Sequence, residues 1–153
     1  MCPELHERLI HIDSLGEWEA PTDFDYFRAL GEVVHHNSYI QNYLGSRLTI
    51  DHSVQDASYF CELHQLDQRY IDDKGCGAIV QTIAIRFSAF DRMFTILGSE
   101  AVQFQDRLPT IIEYLTKHGY IYVGETELSA PYDGKAGQGS EHWTWFTRFF
   151  DYL

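Results

Sequence analysis

Basic residues are scarce in this chain of 153 residues, where 11 Lys and Arg stand against 23 Asp and Glu and the formal net charge is −12. A surface of that sign repels nucleic-acid phosphate and anionic lipid headgroups at long range, which disfavours DNA, RNA and membrane surfaces as partners. Proline is sparse (4) and glycine (11) no more than ordinary, which excludes a collagenous or low-complexity chain. No apolar run approaches the roughly 20 residues needed to span a bilayer. The opening segment Met1-Cys2-Pro3-Glu4-Leu5-His6-Glu7 is acidic where a signal peptide is basic. The three cysteines, Cys2, Cys61 and Cys76, are odd in number and irregularly spaced. They form no disulfide framework, and a reducing, cytoplasmic setting is expected.

What the chain does have is apolar and aromatic mass. Hydrophobic residues make up 44%, and there are 10 Tyr, 10 Phe and 3 Trp. A chain of this size buries roughly 69% of its unfolded surface, enough for one core and one domain over 1–153. No repeat or linker divides it.

Periodicity gives the elements. Leu5, Leu9 and Ile12 behind Pro3 predict a short helix over 4–12. Thr22, with Asp25 three residues on, resembles an N-cap, and Phe27, Leu30 and Val34 then form a stripe that predicts a helix over 23–36. Asp23 and Asp25 fall at its positive end, and His35 and His36 at its negative end. Tyr39, Ile40, Tyr43 and Leu44 keep helical spacing up to Gly45, as a second short helix or kinked extension. The period then drops to two. Ala57, Tyr59, Cys61 and Leu63 predict a strand broken only by Phe60, 66–77 has turn chemistry, and 78–88 and 93–97 complete an antiparallel meander. A helix is predicted over 106–118, a strand over 120–123 and a loop over 129–141. The run Trp143–Phe150 alternates like a strand covered on both faces. The fold expected is therefore α+β, an antiparallel sheet of about four to six strands with the helices at 23–36 and 106–118 packed on one face. The expected core is Phe27, Leu30, Ile83, Ile85, Phe87, Ile112, Leu115, Trp145 and Phe149.

Motifs that carry chemistry fail on spacing. His6 and His11 are five residues apart, which leaves their rings about 140° apart on a helix, where the zinc-protease motif needs four. Gly134 to Ser140 has the glycine spacing of a phosphate loop but lacks its Lys and its strand-to-helix context. Cys61, His64 and Cys76 lack paired zinc-ligand spacing, and on a strand Cys61 and His64 face opposite sides. Cys76 between two glycines is the only cysteine placed like a nucleophile, a setting a tight turn explains equally well. No metal and no cofactor is expected.

Two candidate sites remain. The first is a partner-binding surface of Glu17, Trp18, Glu19, Asp23 and Tyr26 with Tyr39 and Tyr43, in the most acidic part of the chain, since residues 1–32 hold eight acids against two arginines. The second is an aromatic pocket at the 129–143 loop formed by Tyr132, Glu141, His142 and Trp143. In size, charge and aromatic content the chain resembles small acidic immunity proteins, which neutralise bacterial toxins, a resemblance of composition that maps no residue. It implies a non-enzymatic protein that recognises a partner with a basic surface. A small-molecule-binding domain or small hydrolase using the 129–143 pocket is the alternative.

Overall fold

The computed structural model describes residues 2–15, 19–54, 57–71, 77–98, 104–135 and 142–151, with the backbone alone at 66–71 and 77–82. Helix α1 (Pro3–Asp13) precedes a long helix α2 (Tyr26–Leu44). Strands β1 (Thr49–Asp51), β2 (Tyr59–Ile71), β3 (Gly77–Ser88) and β4 (Met93–Leu97) follow in antiparallel succession. Helix α3 (Leu108–Lys117) then returns the chain so that β5 (Ile121–Tyr122) lies parallel to β4. Two short helices, α4 (Glu125–Leu128) and α5 (Trp145–Phe150), complete an α+β fold on a five-stranded sheet in the order β1-β2-β3-β4-β5.

Helix α2 begins later than expected and runs unbroken. Asp25, not Thr22, is its cap, with the carboxylate accepting from Arg28 N at 3.0 Å. The helix continues through 36–39 to Gly45, whose φ of 65° ends it in the left-handed conformation. His35 and His36 are thus mid-helix. The buried stripe is Val33, His36, Asn37, Ile40 and Leu44, and its two polar members hide it from a reading based on apolar residues. Phe27 falls on the far side of α2 and is 84% exposed, so it is not core. Leu30 and Ile112 are half-buried against the core, and the other expected core residues are buried.

The sheet has two unlike faces. Cys61, Leu63, Ile85, Phe87, Phe94 and Ile96 are buried on the face toward α2 and α3. A register shift between Tyr59 and Cys61 marks a bulge. It lets Phe60 join that face against Phe87 while Tyr59 lies under the Arg86 guanidinium on the other. Strand β2 also extends through 66–71, where a turn was expected.

The segment expected to form a covered strand over 143–150 is helical from Trp145. Thr144 caps it, accepting from Thr147 N. The aromatic pairs Trp145–Phe149 and Phe146–Phe150 stack one helical turn apart, at 5.7 and 6.4 Å between centroids. A run this short satisfies both periods, and the cap decides. Helix α5 lies over the second face of the sheet, where Arg86 bonds Phe150 O and packs against the Phe146 ring.

No helix among the described residues is long and apolar enough to cross a membrane. Trp145 is fully buried, so Trp145→Ala is expected to cost about 3–5 kcal/mol in urea denaturation. A loss below about 1 kcal/mol would place the indole outside the core.

Candidate functional site

An open cleft of about 480 Å³ lies between the end of α1, residues 21–25, the first half of α2 and the turn joining β3 to β4. Its floor is apolar, with Ile12, Phe24, Phe60 and Phe90, and its rim is charged. The turn builds one wall. Met93 N donates to Phe90 O at 3.0 Å, and Asp91 and Arg92 both have positive φ, 47° and 55°. Both therefore sit in the left-handed region, which ordinarily falls to Gly or Asn. Arg92 in this conformation costs about 1–2 kcal/mol, offset by what the two side chains reach. Asp91 accepts from Arg8 of α1 at 2.7 and 2.8 Å. Arg92 lies 2.7 Å from Glu32 of α2 and stacks 4.4 Å over the Tyr120 ring. One strained turn thus ties both helices to the sheet.

These pairings set the charge of the cleft. Glu32 is shared by Arg92 and, at 3.5 Å, Arg28, while Asp91 is matched by Arg8. Asp25 commits one oxygen to capping α2. Asp23 is exposed and, among the described residues, has no hydrogen bond or ion pair. Negative charge left unmatched therefore concentrates on the 23–25 wall.

Beside the cleft, under Glu32 and Arg92, the rings of His36, Tyr114, His118 and Tyr120 pack together. His36 is buried, with Nδ1 3.0 Å from the Tyr114 hydroxyl and its ring 4.9 Å from that of His118. Burial, then the neighbouring His118 and His35, hold the His36 pKa below its ordinary 6.5. Burial raises the Tyr120 phenol to about 12.

The residues singled out from sequence are dispersed. Glu17, Trp18, Cys76 and Glu141 lie outside the described residues. Glu19 and Asp23 are exposed, and Asp23 lines the cleft. Tyr26 is half-buried, packs against Phe27 and Phe60, and donates to His52 O at 2.7 Å. Tyr39 and Tyr43 are exposed about 20–25 Å further along α2. There they form a stack with Tyr114, and Tyr43 donates to Thr110. The structure therefore separates them from the acidic end.

At the 129–143 loop the hydroxyl of Tyr132 is committed to Asp13 at 2.8 Å, and its ring packs on Trp143 and Trp145. His142 is exposed. The hollow there, about 310 Å³, is lined by His6, Asp133 and Trp145 among others, with His6 Nε2 3.0 Å from Asp133. Cys61 is buried, and its thiol is pushed up to about 12 by that burial. His64 faces away from it, toward Glu62 at 3.2 Å. Among the described residues no three His, Cys, Asp or Glu side chains are placed to hold a metal.

Sequence reasoning missed Arg28, Glu32, Asp91 and Arg92 as cleft residues. Asp91-Arg92 between two alternating runs was the available signal, but it departs from the usual turn residues. No family model matches this chain, and neither does any curated protein or solved structure.

The sign of the His36 effect is testable. Because folding lowers its proton affinity, the unfolded chain takes up protons first as pH falls through about 6.5, and stability drops below that point. The His36 ring should titrate below 6.5 by NMR, and the melting temperature should fall from about pH 7 to pH 5, less steeply in His36→Gln. A His36 ring titrating above 6.5 would contradict the assignment.

Proposed function

We propose that this protein is a non-enzymatic binding module that docks a protein partner with a basic surface through the acidic wall of the cleft and the exposed aromatic at the start of α2. The observation that carries the reading is Phe27, 84% exposed on the first turn of α2 outside the cleft itself, together with the exposed Asp23 carboxylate of the cleft wall, which has no hydrogen bond or ion pair among the described residues. Leu15, 61% exposed, lines the cleft from α1. Large apolar groups of this kind contribute most when a partner removes them from water. The net charge of −12 supplies the long-range attraction that raises the encounter rate with a cationic surface. A cationic toxin domain is one such partner, on the compositional resemblance to immunity proteins, and a reducing cytoplasm suits the free thiols of Cys2 and Cys61. One observation favours a small-molecule site instead. The cleft's volume and its mixture of apolar floor and polar rim match ordinary ligand pockets.

Salt-sensitive capture from lysate, followed by kinetics with the purified partner, separates the two readings. Charge reversal at Glu19 and Asp23 should slow association about tenfold or more at low salt, and Phe27→Ala should speed dissociation by a similar factor. Recovery of acidic partners only, or an unchanged association rate after charge reversal, would overturn the reading and leave the small-molecule pocket in its place.

A further inference from the structure

We propose that the cleft takes a single basic side chain of that partner, its aliphatic stem lying on the apolar floor and its guanidinium or ammonium group held at the 23–25 wall. The inference rests on the partner-binding reading above and specifies which chemical group the site selects.

Three observations converge on a cation. The two arginines lining the cleft are already matched, since Arg92 and Arg28 both lie against Glu32, so an anion would have to displace an existing ion pair. The carboxylates at the wall are not matched in this way. Asp23 has no hydrogen bond or ion pair among the described residues, and Asp25 uses one oxygen as the α2 cap. Between them, Phe24 is half-buried and packs on Phe60 at 5.2 Å, which leaves part of an aromatic surface at the wall itself.

A carboxylate beside an aromatic ring suits a long basic side chain better than a compact ion. The stem gains by covering apolar surface, the ring attracts the cation electrostatically, and the carboxylates accept its N–H groups. The protein already builds this arrangement internally on the opposite side of the same cleft, where Arg92 lies over Tyr120 and against Glu32. A metal ion would instead require several converging carboxylates, and among the described residues no such group exists.

The test uses the full chain and small probes, so that it does not depend on having the partner. Backbone NMR spectra are recorded while Nα-acetyl-arginine amide, Nα-acetyl-lysine amide or the neutral Nα-acetyl-citrulline amide is added. Either basic probe should shift the amides of 23–28 and 90–92, with affinity falling about tenfold in Asp23→Asn/Asp25→Asn and at high salt. Asn is as good a helix cap as Asp, so the double variant keeps α2 and its melting temperature should stay close to that of the parent. Equal shifts with citrulline, equal binding by the double variant, or no shifts at the cleft would overturn the proposal. The two proposals fail separately. A purified partner whose binding still weakens in Phe27→Ala but is untouched by the double variant would leave the docking surface standing and remove the anchor. A partner indifferent to Phe27→Ala and to charge reversal would remove the docking surface itself.

Discussion

A buried carboxylate near the end of α1 holds three distant parts of the chain together. Asp13 accepts from Arg148 Nε at 2.7 Å, from the Tyr132 hydroxyl at 2.8 Å and from Lys135 N at 2.6 Å. Arg148 is fully buried, its guanidinium sandwiched at 4.6 and 4.8 Å from the Phe90 and Phe149 ring centroids. A charge out of water is costly unless it is matched by charge and hydrogen bonds together, so neither residue tolerates the loss of the other. The loop reaches Asp13 only because residue 134 is glycine, since a Cβ there would collide with the Asp13 carboxylate and the Tyr132 ring. By fixing the last turn of α1, the pair also fixes Ile12 and Leu15, which line the cleft.

The second face of the sheet follows the same logic. Six residues are too few for α5 to be stable alone, and apolar packing without directional bonds would leave its orientation loose. Glu62, itself buried, holds the Arg86 guanidinium through two contacts of 2.8 Å, and Arg86 in turn satisfies Phe150 O at 2.6 Å. The end of α5 is thus joined to the centre of the sheet by charge, while α2 packs on the opposite face through a stripe in which only His36 and Asn37 are polar.

That contrast explains what was legible in the sequence. Where burial is apolar and periodic, as in 83–87 or 111–115, the pattern of residues predicts both the element and its buried side. Where burial is polar it does not. His36 and Asn37 disguise the stripe of α2, and Phe27, read as core, is exposed. Arg148 looks like a surface residue in a strand, and nothing local reports that its partner is 135 positions away. The cleft was only partly legible for the same reason. The acidity of 19–25 is a local property, whereas the wall opposite comes from a strained Asp91-Arg92 turn that becomes part of a site only once the sheet and both helices are assembled.

The claim that the Asp13–Arg148 pair organises the structure is tested most directly by a double-mutant cycle of Asp13→Asn and Arg148→Met in urea denaturation. Each single substitution should cost about 3–5 kcal/mol, because it strands a buried partner, and the double should cost no more than about 1 kcal/mol beyond the worse single. Single losses below about 1 kcal/mol, or losses that simply add, would show that the two residues are not coupled and that α1 and α5 are held by something else.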